Sequence, residues 1–194
     1  MEIHQATHDD IPGILAVQNA NLYSHLDPAG DLSSRGFLVY PVAEGELAAV
    51  VDDPQRHILF VAREGRKVMG YALGYDLDTW EAHKPGWESC VRSDNGSAGD
   101  WSQSTLYLRH IARLPEEEAA SAPLPLVRSF IAETQRRKVS YLLGEILEQP
   151  VANTRSVKFS TKAMGLSRIG QVEYPEDQTV WGLYERTFNP PPSR

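Results

Sequence analysis

The chain has very little cysteine: Cys90 stands alone. That excludes an internal disulfide and a multi-cysteine metal site, and makes a reducing interior the default expectation. No apolar run approaches the roughly 20 residues needed to cross a bilayer. The N-terminus lacks a basic stretch followed by an apolar core, so no secretory leader is expected. A cytoplasmic protein without a membrane partner is the simplest expectation. Positive charge is also short: 19 Lys and Arg against 26 Asp and Glu leave a formal charge of −7. Nucleic acids and anionic lipids call for a basic face, so neither is expected as a partner. The histidines His4, His8, His25, His57, His83 and His110 show no paired ligand spacing, and no metal is expected.

What remains is an ordinary globular composition, 41% hydrophobic over 194 residues, long enough to bury a sizeable core in one domain. Residues 3–6 read as a short edge strand. Thr7-His8-Asp9-Asp10 offers capping oxygens and first-turn carboxylates, and Pro12 fits only in a first helical turn. Ile11, Ile14, Leu15, Gln18 and Leu22 then recur at helical spacing, predicting a helix over 9–22. A second helix is predicted over 44–51, stopped by Asp52-Asp53-Pro54. Residues 57–62 and 67–75 read as strands joined by a tight hairpin at Glu64-Gly65-Arg66.

Residues 76–103 show no periodicity and read as a long insertion, yet they hold Trp80, Trp87 and Trp101. Plain disorder is poor in aromatics, so an ordered segment is expected. A strand over 105–112, a loop over 113–121, a helix over 122–137, a strand over 139–147, a helix over 153–164 stopped by Gly165, and strands over 166–172 and 179–186 complete the pattern. The expected order is β-α-α-β-β-β-α-β-α-β-β in one domain over 1–188, with a frayed tail over 189–194.

Two stretches carry a family resemblance. One is Leu142-Leu143-Gly144-Glu145-Ile146 followed by Asn153-x-x-Ser156-x-x-Phe159 and Gly165-Leu166. The other is the opening Thr7-x-x-Asp10-Ile11-Pro12-x-Ile14 with the hairpin that ends in Gly70. Together they resemble the GNAT acetyltransferases over nearly the whole chain. The resemblance implies an α/β (α+β) fold: a mixed, mostly antiparallel central sheet, helices on both faces, and a splayed cleft between strands 4 and 5 that takes acetyl-CoA. Those strands fall at Leu106 to Ala112 and at Val139 to Leu147. It also implies an acyl-CoA-dependent N-acetyltransferase acting on a small amine or amino-acid-like acceptor. The amine attacks the thioester while a backbone N–H around Ile111 to Arg113 polarises the carbonyl. The cofactor contacts implied are Ile111, Ala112, Arg113, Ser121, Ala122, Arg128, Asn153 and Ser156.

Three residues are candidates for catalysis. His110 is a strand histidine that titrates near neutral pH, or a packed one. Glu145 is a carboxylate on an apolar strand, acting as a base or paired with a neighbouring cation. Tyr107 is a proton donor or a core ring. Asn153 suits a helix N-cap whether or not it also holds pantetheine. The three insertion tryptophans line a substrate pocket, pin the insertion to the sheet edge, or seal a homodimer.

Two departures from the family pattern open an alternative. The family's glycine-rich pyrophosphate loop gives backbone N–H groups to the phosphates. Its counterpart here is Pro115-Glu-Glu-Glu118-Ala-Ala-Ser121-Ala-Pro123-Leu-Pro125, in which two prolines have no N–H to give. Each such bond to a charged group is worth roughly 1.5–3 kcal/mol, against roughly 8 kcal/mol for a micromolar complex. Weak acetyl-CoA binding is therefore expected. In addition, Ser160 stands where many family members carry a tyrosine that protonates the leaving thiolate. The alternative is a non-catalytic GNAT-fold binding or structural protein that has lost ordinary acetyl-CoA binding.

Overall fold

The computed structural model describes residues 1–25, 36–94, 101 and 104–188. The tail expected over 189–194 and the Asn95-Gly96 pair lie outside them. The chain divides into two compact units, Met1–Gly74 with Arg109–Glu133, and Tyr75–Leu108 with Thr134–Arg194.

The first unit begins with β1 (Glu2–Gln5), a 3-10 turn (His8–Asp10) and α1 (Ile11–Asn19). The helix is shorter than the 9–22 that its apolar spacing predicted, because the turn takes residues 9 and 10 and the helix stops at Asn19. Asp10 closes that turn: one carboxylate oxygen accepts from both the backbone N–H and the hydroxyl of Thr7, each at 2.9 Å. Burial opposes the charge of Asp10, but the Thr7 bonds, Arg63 and His4 outweigh it and hold the carboxyl below its ordinary range. Helix α2 (Glu44–Asp52) follows, then β2 (Ile58–Glu64) and β3 (Lys67–Asp76). The hairpin sits where Gly65 and Arg66 predicted it, with Glu64 opposite Lys67 and Gly65 in the left-handed region at φ +59. β3 is buried from Val68 through Tyr75. At Gly70 it runs so close to the next strand that a Cβ would lie 2.8 Å from the Ala112 carbonyl oxygen, which leaves no room for a side chain.

The second unit holds the corrections. The described residues of the insertion hold α3 (Leu77–His83), α4 (Trp87–Cys90) and a short β4 (Val91–Ser93). Asp76 caps α3 by accepting from the Thr79 N–H at 2.9 Å, and Leu77 and Trp80 are its buried face. These signals are in the sequence, but a seven-residue helix is too short for periodicity to reveal. The eighth strand, β4, was not expected; it pairs with a later strand through Val91↔Val172, a long-range match with no local signature.

β5 (Thr105–Arg113) passes through both units, followed by a 3-10 turn (Glu117–Ser121) and α5 (Pro123–Arg136). β6 (Tyr141–Gln149), α6 (Thr154–Ala163), β7 (Ser167–Tyr174) and β8 (Thr179–Thr187) complete the chain. The strand order is β1-β2-β3-β5-β6-β8-β7-β4. β1–β2, β2–β3, β4–β7, β6–β8 and β7–β8 pair antiparallel, whereas β5 and β6, the two strands that α5 links, pair in parallel. That parallel ladder runs from Thr105↔Tyr141 to Leu108↔Gly144 and goes no further, although β6 stays paired with β8 as far as Gln149. β5 and β6 are strands 4 and 5 of the sequence reading, and their partial pairing is what a splayed pair requires.

Candidate functional site

In the first unit the candidates lie at the end of β5 and in the turn after it. The strand end is pinned from two sides: Asn21 donates to the Arg113 carbonyl at 2.8 Å, and the Leu114 N–H donates to the Met69 carbonyl at 2.8 Å. Ala112 is buried, while Ile111 and Arg113 are half-buried. The guanidinium of Arg113 braces the turn, donating to the carbonyls of Leu114 and Glu116 at 2.7 and 3.2 Å. The turn keeps two of its own donors busy, since the Ala119 N–H goes to the Glu116 carbonyl and the Ala122 N–H to the Ala119 carbonyl. Ala122 is fully buried. The N–H that its expected phosphate contact would use donates to the Ala119 carbonyl inside the turn. Ser121 and Arg128 are exposed, as are Glu116, Glu117 and Glu118.

His110 points into the first unit. Its Nδ1 lies 2.9 Å from the Tyr71 hydroxyl, and the ring also hydrogen-bonds the Tyr40 backbone. Burial, aided by the charge of Arg109, pushes its pKa well below the ordinary histidine value, so the ring is neutral at neutral pH. With its N–H given to the Tyr40 carbonyl, Nδ1 is left to accept from Tyr71. The Tyr71 hydroxyl stays protonated because burial raises its pKa strongly. The packed-histidine reading fits this geometry better than the proton-acceptor reading. Tyr71 was missed in the sequence, for it reads as one more apolar strand residue and its partner lies 39 residues away.

In the second unit the candidate carboxylate is Glu145. It is half-buried, and two donors grip it: the Trp87 indole N–H at Oε1 and the Tyr174 hydroxyl at Oε2, the latter at 3.0 Å. The sequence points to a lysine or arginine partner for Glu145; Trp87 and Tyr174 are partners that it does not reveal. Tyr107 is buried with its ring stacked on Trp80, centroids 3.9 Å apart and 6° between planes, which is core packing. Trp80, Trp87 and Trp101 are 3%, 1% and 8% exposed. Their apolar area is covered within the chain, so the motive for a homodimer contact is gone.

Asn153 caps α6 as expected, its side-chain oxygen accepting from the Ser156 N–H at 3.3 Å. Gly165 follows the helix at φ +69. Replacing Asn153 with Ala is expected to lower the unfolding free energy by about 1 kcal/mol, measured by urea titration. An unchanged midpoint would show that the cap contributes nothing. A polar groove of about 570 Å³ lies between Lys162, Gly165, Ser167, Glu185, Arg186 and Thr187, and includes none of the candidate residues. Among the described residues no helix is long and apolar enough to cross a membrane.

No family model matches the chain, and no curated protein matches it. Solved structures do. The Salmonella typhimurium protein YncA, solved with its cofactor acetyl-CoA, is 15% identical, with a TM-score of 0.65 over 100% of this chain and 97% of its own. A ribosomal-protein-alanine N-acetyltransferase from Brucella melitensis is 15% identical, with a TM-score of 0.62 over 97% of this chain and all of its own. The PaiA N-acetyltransferase from Thermoplasma acidophilum, in complex with coenzyme A, is 10% identical, with a TM-score of 0.60 over 96% and 98%. The chain has the GNAT fold.

Proposed function

We propose that the protein is an acyl-CoA-dependent N-acetyltransferase for a small amine or amino-acid-like acceptor. The observation that carries the reading is the position of Glu145, the residue of β6 immediately after the last pair with β5. A half-buried carboxylate at that point suits an acceptor that arrives as a cation. In the reaction the neutral amine nitrogen attacks the thioester carbonyl. The N–C bond forms, the C–S bond breaks, and the proton that the nitrogen gives up passes through water to the departing thiolate, which leaves as the thiol. Backbone donors between Ile111 and Arg113 would steady the developing oxyanion. Asn153 and Ser156 would meet the pantetheine arm, and Ser121, Arg113 and Arg128 the phosphates.

The turn after β5 favours a second reading, a GNAT fold that has lost ordinary acetyl-CoA use. Two of its N–H groups are consumed locally and Pro123 and Pro125 have none. Wild-type protein is accordingly expected to bind acetyl-CoA with a Kd weaker than tens of micromolar by calorimetry. Pro123→Gly with Glu118→Arg is expected to tighten it about tenfold, one added charge-assisted bond's worth. A wild-type Kd in the low micromolar range or better would show that the phosphates are held by other groups. The two functions separate on one assay: transfer of the acetyl group from acetyl-CoA to any member of an amine panel supports the enzyme. Its absence at saturating acetyl-CoA supports the binding protein.

A further inference from the structure

The peptide unit that joins Arg113 to Leu114 is held at both of its polar ends. Its carbonyl accepts from the Asn21 side-chain amide at 2.8 Å, and its N–H donates to the Met69 carbonyl at 2.8 Å. A peptide unit is planar, so two opposed bonds fix its orientation along with its place. The Asn21 amide is itself anchored. Its nitrogen also donates to the Val17 carbonyl at 2.7 Å, so both amide protons go to carbonyls. The backbone carbonyl of Asn21 accepts from the Leu38 N–H at 2.8 Å, which holds the residue from a third direction. β3 closes in as well, because a Cβ at Gly70 would lie 3.3 Å from the Arg113 Cα.

This joint is more specific than tying a helix to a strand requires. A bond to any outward group would attach α1 to β5, whereas this one sets the plane of a particular peptide. Within a strand the N–H and C=O of one residue point the same way, and successive residues alternate. The Leu114 N–H faces β3, so the N–H groups of Arg113 and Ile111 face away from it. Those are donors assigned above to the thioester carbonyl. Such donors stabilise developing charge by being held in place before it forms. Arg113 is the last residue of β5, where a strand readily frays. The Asn21 bond keeps that residue in strand geometry. No apolar side chain can replace it, and an aspartate would have no N–H to give the carbonyl.

We propose that Asn21 is a positioning residue for acetyl transfer: by holding the Arg113 carbonyl it aims the N–H groups at the end of β5 toward the thioester carbonyl, a role that rests on the acetyl-transfer reading. Infrared difference spectroscopy reads polarisation of that carbonyl as a fall in its stretching frequency. The probe is acetyl-CoA isotope-labelled at the thioester carbonyl carbon, added at saturating concentration. Calorimetry with acetyl-CoA and with coenzyme A runs alongside. The proteins are wild type, Asn21→Ala, Asn21→Ser and Gln18→Leu, each checked for folding by circular dichroism. Gln18 controls for structural loss: it sits on the same helix and bonds the Val42 backbone at 3.1 and 2.8 Å rather than β5. Wild type is expected to lower the stretch on binding, and Gln18→Leu to keep that shift. Asn21→Ala is expected to lose most of the shift while its Kd for coenzyme A stays within about twofold. No shift in wild type, a full shift in Asn21→Ala, or an equal loss in Gln18→Leu overturns the proposal. Joint loss of the shift and of coenzyme A binding in Asn21→Ala marks a structural role and overturns it too. If Asn21→Ala does not fold, Asn21→Ser, which keeps one donor, decides by a partial loss. Absence of acetyl-CoA binding to wild type removes the acetyl-transfer reading together with this role, whereas binding with a shift indifferent to Asn21 removes this role alone.

Discussion

Replacing residues 77–103 by a flexible linker is expected to unfold the second unit rather than trim a loop from it. The three tryptophans of that segment are nearly inaccessible to water, and two of them build one aromatic cluster with Tyr107 of β5. A buried tryptophan removes roughly 150–250 Å² from water, worth about 4–6 kcal/mol as an upper estimate at ~25 cal/mol per Å². Three of them match or exceed the roughly 5–15 kcal/mol that holds an ordinary domain together. The graded version of the experiment is Trp80→Ala, which removes the ring stacked on Tyr107 and is expected to cost about 3–5 kcal/mol. Near-ultraviolet circular dichroism and urea titration measure both. A deletion variant that keeps native near-ultraviolet signal and a cooperative transition would show that the cluster is not part of the core.

The second large effect is on stability in mild acid. His110 is neutral in the folded state because burial holds its pKa well below the ordinary value, whereas in the unfolded chain it titrates near 6.5. The unfolded state therefore binds a proton first as pH falls. The stability that the neutral ring contributes is fully present above about pH 6.5 and falls by about 1.4 kcal/mol per pH unit below it, until the folded ring also titrates. The loss grows as pH falls from about 6.5 and levels off where the folded ring itself takes up a proton. Asp10 does not confuse this window. Its folded pKa is lowered from 3.8, so its stabilisation is present above that value and is lost only below it. Urea midpoints at several pH values compare wild type with His110→Gln, and the variant is expected to show a shallower slope in that window. Equal slopes in both proteins would mean that His110 is already charged in the native state.

The elements that the sequence made legible are those with local causes. Gly65 permits a two-residue turn because only a residue without Cβ enters the left-handed region cheaply, and the flanking apolar runs can then only be a hairpin. Asn153 and Gly165 bracket α6 because a capping oxygen and a left-handed stop act within one turn of chain. Pro123 and Pro125 lack donors wherever the chain places them.

What only the tertiary structure decided are the partners. Glu145 was visible as a carboxylate on an apolar strand, but nothing near it names Trp87 or Tyr174. His110 was visible as a strand histidine, but its neutrality depends on Tyr71, Tyr40 and the burial that β3 provides. Ala122 was visible as a small residue of the turn, but the sequence does not show that its N–H donates to Ala119. β4 arises from the distant pairing of Val91 with Val172, and Trp80 and Trp87 are covered by Tyr107 of β5. Backbone propensity and turn chemistry act over a few residues and are written into the local sequence. The charge state, orientation and accessibility of a side chain are set by whatever the fold brings beside it, and that depends on the whole chain at once.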